Sequence, residues 1–81
     1  MSYTLKITIT LKPGILNPEA HAIRHALTNL GFRTEDLRTA RIFLITIDTP
    51  DEGEARAQAE KMCERLLANP VIHDHTVEVM G

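Results

Sequence analysis

Residues 3–12, YTLKITITLK, alternate without interruption. Tyr3, Leu5, Ile7, Ile9 and Leu11 fall on one face, and Thr4, Lys6, Thr8, Thr10 and Lys12 fall on the other. A period of two over ten residues, rich in β-branched types, describes a strand with one buried face. Such a face has to be covered by a second layer, so the chain is committed to a sheet with something packed on it.

The helical period supplies candidates for that layer. Over residues 18–31, Ala20, Ile23, Leu27 and Leu30 recur at spacings of three and four, opposite His21, Arg24, His25 and Thr28. Asn17 is a preferred N-cap, Pro18 suits the first helical position, and Glu19 places an acid in the first turn. Gly31 stands where a helix takes its left-handed stop. Ahead of the helix, Pro13-Gly14 fits the second and third positions of a type II turn. Residues 32–48, FRTEDLRTARIFLITID, read as two short strands with a tight or bulged link near Thr39 to Arg41. In the second of these, Phe43, Ile45 and Ile47 share a face, while Ile42 and Leu44 make the other face apolar too, which suits either a partner surface or a central strand lying under loops.

Residues 49–70 form a second helix, capped by Thr49 or Asp51, with Ala55, Ala59, Met62, Cys63 and Leu66 as its buried stripe. VIHDHTVEVM, residues 71–80, is a last strand. The order is β-α-β-β-α-β in a single domain, residues 1–81. Two β-α-β halves predict an α+β fold of the ferredoxin-like, split βαβ kind, a four-stranded antiparallel sheet with both helices on one face.

A chain of 81 residues is short of core, since a domain this size buries only ~60% of its unfolded surface. Two Phe, one Tyr and no Trp leave few large side chains to fill it, and a single cysteine, Cys63, permits no internal disulfide. Self-association is the remaining source of stability, so copies of the same chain are expected as partners. A net charge of −2 argues against nucleic acid. No run approaches a membrane span, and no secretory leader is visible, so a cytoplasmic chain is expected.

Candidate chemistry is sparse. His21 and His25 lie four apart on one helix face, and His73 and His75 lie two apart on one strand face; both spacings let two imidazoles share a metal. No Cys or carboxylate completes either pair in sequence, so no resident metal is expected, and His75 is placed in a semi-buried position beside Val77. Cys63 sits mid-helix on the apolar stripe rather than in an electropositive, accessible setting, which argues against a nucleophile. Glu35-Asp36 and Asp51-Glu52 fall in a turn and at a helix start, where solvation and capping account for them. The loop LKPGILNPEA lacks both a Walker pattern and the three spaced glycines of a dinucleotide fingerprint. Local geometry explains each of its residues except Lys12.

TLKPGILNPEA at 10–20, LGF at 30–32, Arg38 ahead of the strand at 42–47, and LLANPVIHDHTVEV at 66–79 resemble the PurS family. PurS is the small subunit of phosphoribosylformylglycinamidine synthase in de novo purine biosynthesis. The resemblance spans essentially the whole chain. It implies a non-catalytic subunit, a homodimer or homotetramer, that bridges a synthetase subunit and a glutaminase subunit and helps assemble the ammonia path. The complex converts formylglycinamide ribonucleotide, ATP and glutamine into the formylglycinamidine; ATP and Mg would serve the complex, with no cofactor and no catalytic residue in this chain. The chain departs from the family at Ala40-Arg41, where Gly-Lys is common; losing that glycine disfavours a positive φ.

On this reading Lys12, Arg38 and Arg41 are the charges expected at subunit contacts, with Pro13, Gly14, Asn17 and Pro18 holding their loop rigid. A small-molecule-sensing regulatory dimer of the same topology is the alternative. A metal carrier using the histidines is a further one.

Overall fold

β1 (Ser2–Leu11) is the middle strand of the sheet, as its unbroken alternation requires. The computed structural model describes residues Met1–Met80. After β1 come α1 (Pro18–Asn29), β2 (Ala40–Asp48), α2 (Glu52–Met62), a five-residue π-helical turn (Cys63–Leu67) and β3 (His73–Met80). The sheet order is β2-β1-β3, antiparallel throughout. Register runs from Ser2 opposite Asp48 to Thr10 opposite Ala40 on one side, and from Thr4 opposite Met80 to Leu11 opposite His73 on the other.

That register places Leu5, Ile7 and Ile9 in line with Ile45, Phe43 and Arg41 on β2 and with Val79, Val77 and His75 on β3. Leu5, Ile7 and Ile9 are buried beneath Ala55, Ala59 and Cys63 of α2 and its extension. The alanines let the helix backbone come down close to the sheet, so a small core closes without any large aromatic at its centre. Asp51 caps α2, its side chain accepting from the Glu54 N–H at 2.8 Å. Thr49 is buried just ahead of it and donates to the Asp51 carbonyl.

Three sequence expectations are corrected. First, the sheet has three strands, not four: residues 32–39 do not form one. Their charges, Arg33, Glu35, Asp36 and Arg38, offer no alternating apolar face, and two of them pair locally, Arg38 Nε to Asp36 Oδ2 at 3.1 Å. The observed order is that of a split βαβ sheet without its outer strand, which leaves one edge of β2 unpaired.

Second, the two helices do not share the sheet's face. Without an outer strand, nothing draws α1 back across β2. Only Ala20 of α1 is buried, Ile23 is exposed and Leu30 is 73% exposed. The molecule is accordingly long, 51 × 26 × 15 Å, with a radius of gyration of 16.2 Å. A compact chain of this length has a radius of about 12 Å.

Third, Leu66 is not on the buried stripe of the second helix but 84% exposed. The π-helical turn inserts one extra residue per hydrogen-bonded loop, with the Ala68 N–H reaching the Cys63 carbonyl. It advances the inward position from Leu66 to Leu67 and Ala68, which pack against the core.

Candidate interaction surface

The loop from β1 to α1 is built as its residues dictate. Gly14 holds φ +84°, the left-handed value that a type II turn needs at its third position, and the Ile15 N–H closes on the Lys12 carbonyl at 3.2 Å. Pro18 opens α1. The Asn17 side chain accepts from the Ala20 N–H at 3.1 Å and donates to Thr39 Oγ1 at 2.9 Å, so one residue caps the helix and pins the strand entry. At the far end Gly31, φ +99°, completes a Schellman stop: its N–H meets the Thr28 carbonyl, and the Phe32 N–H meets the Leu27 carbonyl.

Lys12, which local turn geometry left unexplained, is accounted for by the register. It lies diagonally across from Asp74 on the open face of the sheet, and Nζ donates to the carboxylate at 2.9 Å. Below it, the Lys12 N–H bonds the Ile72 carbonyl. Lys12 therefore ties the end of β1 to the start of β3.

Lys12, Pro13, Gly14, Asn17 and Arg38 line one open concavity of about 500 Å³, together with Thr39 and Asp74. Arg41 does not join them. It lines a neighbouring hollow of about 440 Å³ with Glu19 and His73, and its guanidinium sits 5.9 Å above the Phe43 ring. Pro18 lines neither hollow. Ala40 takes no positive φ; it begins β2 opposite Thr10, so the departure from the family's Gly-Lys pair is absorbed by a plain strand start.

Nothing in the sequence marks Asp74 or Thr39 as a partner of this loop. Their partners lie 62 and 22 positions away, and only the strand register brings them close.

The histidines behave differently from one another. His73 Nδ1 accepts the Asn69 N–H at 2.9 Å, and half-buried His75 contacts Glu60 of α2 at 2.6 Å. His21 and His25 face solvent, as their position opposite Ile23 and Leu27 implied. Cys63 is fully buried; desolvation raises its pKa, and the Glu60 and Glu64 carboxylates raise it further. It is a packed thiol held in its protonated form.

Several large apolar side chains stand in the remaining surface. Leu16, Leu30, Phe32, Leu66 and Val71 are each more than half exposed, and on the open sheet face so are Ile42 and Leu44. Among the described residues no helix is long and apolar enough to cross a membrane.

Comparison with known proteins covers nearly all of this architecture. The family described as "PurS: Phosphoribosylformylglycinamidine (FGAM) synthase" matches residues 4–81. The PurS subunit of phosphoribosylformylglycinamidine synthase from Methanothermobacter thermautotrophicus is 42% identical over 79 residues, covering 98% of this chain and 94% of the relative. The crystal structure of Methanocaldococcus jannaschii PurS, described as one subunit of formylglycinamide ribonucleotide amidotransferase, superimposes with a TM-score of 0.86 at 40% identity. It covers 96% of this chain and 95% of its own. A chain in the structure of PurLQS from Thermotoga maritima shares the fold alone, with a TM-score of 0.90 at 21% identity and 99% of each chain covered. The family match over residues 4–81, with 42% identity to a relative across nearly the full length, places this chain in the PurS family.

Proposed function

We propose that this chain is the small, non-catalytic subunit of a phosphoribosylformylglycinamidine synthase, in which it bridges the synthetase and glutaminase subunits. The complex converts formylglycinamide ribonucleotide, ATP and glutamine into the formylglycinamidine, and the small subunit supports passage of ammonia between the two active sites. ATP and Mg²⁺ serve the synthetase; this chain contributes surface rather than chemistry. The observation that carries the reading is the uncovered apolar surface on a chain that matches the family over residues 4–81. A subunit whose work is to hold others together needs surface of that kind, because burying it is what drives association. The PurLQS assembly of Thermotoga maritima contains a chain of this fold.

Self-association completes the fold. Ile23, Leu30 and Phe32 are exposed and Leu27 only partly covered in the protomer, and β2 presents an unpaired edge. A second copy, in a homodimer or homotetramer, supplies the missing layer. The rigid turn at Pro13, Gly14, Asn17 and Pro18, with Lys12, Arg38 and Arg41 around it, is the surface offered to the larger subunits.

The test is charge reversal at Lys12. The K12E variant keeps its fold, because the Lys12–Asp74 pair is a surface ion pair worth about 0–1 kcal/mol. Its assembly with purified synthetase and glutaminase, followed by size-exclusion chromatography, weakens. Assembly equal to that of the wild-type chain would remove Lys12 from the contact surface.

A further inference from the structure

Two of the four histidines are engaged within the protomer: His73 with the Asn69 N–H and His75 with Glu60. The other two, His21 and His25, sit one turn apart on α1, with ring centroids 6.5 Å apart and the planes tilted by 55°. Neither ring has a hydrogen-bond partner among the described residues. With Arg24 and Thr28 they line a shallow depression of about 230 Å³. Arg24, the one charge in that depression, is drawn aside, its Nε–H donating to the Thr34 carbonyl at 3.0 Å. Thr28 donates back to the Arg24 carbonyl.

The geometry points to an exchangeable divalent-cation site on α1, formed by the imidazoles of His21 and His25. Two imidazoles bound to one ion at about 2.1 Å place their centroids about 5 Å apart. The observed spacing is 6.5 Å, and side-chain rotation of two exposed rings covers the difference. No third His, Cys, Asp or Glu among the described residues joins them, so water fills the other positions. A two-ligand site binds a borderline ion such as Zn²⁺ and releases it readily, whereas Mg²⁺ prefers oxygen donors. This is a different thing from a resident, closed metal centre.

Its consequence lies in the helix. α1 has 12 residues and buries only Ala20, and a helix of that length is marginal without packing. The pair of imidazoles can share an ion only while residues 21–25 are helical. Binding therefore stabilises the helix, by an amount that grows with ion concentration over the dissociation constant. A cation staple on the polar face thus orders the element that carries the largely uncovered apolar stripe on its other face.

Isothermal titration of the full-length chain with ZnCl₂ tests this. Saturable Zn²⁺ binding is expected, absent with MgCl₂, at least tenfold weaker in H21A and in H25A, and retained in H73A and H75A. Arg24→Gln tightens binding by about twofold, the size of a removed like-charge neighbour on a helix. Hydrogen exchange of the α1 amides slows when Zn²⁺ is added. No saturable binding, binding indifferent to both H21A and H25A, or binding lost in H73A or H75A instead would overturn the assignment.

Discussion

Gly14 shows how tightly single residues were chosen in the β1–α1 loop. Its φ is +84°, and a Cβ built there would touch nothing within 4 Å, so the demand for glycine is purely one of backbone conformation. Gly14→Ala is expected to cost about 1–2 kcal/mol. For a domain of this size each kcal/mol lowers Tm by about 4–8 °C, which differential scanning calorimetry reads directly. Cys63 makes a prediction of another kind. Burial raises its pKa, with Glu60 and Glu64 adding to the effect, so the folded chain holds the thiol protonated where the unfolded chain would release the proton. The associated stability is fully present below about pH 8.5, the unfolded thiol's value, and is lost as pH rises from there toward the folded value. Urea midpoints measured from pH 7 to pH 10 should fall more steeply in the wild-type chain than in C63A. Iodoacetamide should label Cys63 only after unfolding.

Elements divide by how local their instructions are. α1 begins at Pro18, its cap is Asn17 and its stop is Gly31, all as the residues foretell, because caps and turns are set by neighbours within a few positions. β1 is equally legible, since alternation is a local property. The end of α2 is not. Continuing its period carries Leu66 inward, yet the π-helical turn turns Leu66 out and admits Leu67. A one-residue change of hydrogen-bond span has no signature in apolar spacing. Leu66→Gln should therefore shift the unfolding free energy of the isolated chain by less than about 0.5 kcal/mol. By contrast, Leu5→Ala, at a fully buried position, should cost about 2–5 kcal/mol in the same denaturant titration. Residues 32–39 form no strand for a local reason instead: Arg33, Glu35, Asp36 and Arg38 leave no alternating apolar face for a sheet to bury, although the outer edge of β2 is free.

For the whole molecule the governing fact is its length, 51 Å along the major axis, set against a core of a few small side chains. On the proposed self-association, a second copy covers α1 and the outer edge of β2, while the sheet and α2 hold their own core. Leu30→Glu combined with Phe32→Glu should shift the sedimentation equilibrium toward monomer at micromolar concentration and leave far-UV dichroism of the sheet intact. An unchanged molecular mass would show that the cover lies elsewhere. Of the residues expected at subunit contacts, Lys12, Pro13, Gly14, Asn17 and Arg38 gather at one hollow, Arg41 lies beside it and Pro18 lines neither.

By itself the sequence determined the alternating strand, the two helices with their caps, the rigid loop and the family, each encoded by residue types at short, fixed spacing. Tertiary structure alone decided that Lys12 meets Asp74, that Leu66 faces outward and that α1 stands away from the sheet. Those outcomes depend on strand register, on the hydrogen-bond span of one turn and on an edge strand that the protomer does not form. The meeting of Lys12 with Asp74 is a relation between distant parts of the chain, whereas the π-helical turn is local and leaves no mark on apolar spacing. In each case the balance of free energies is struck only once the elements pack.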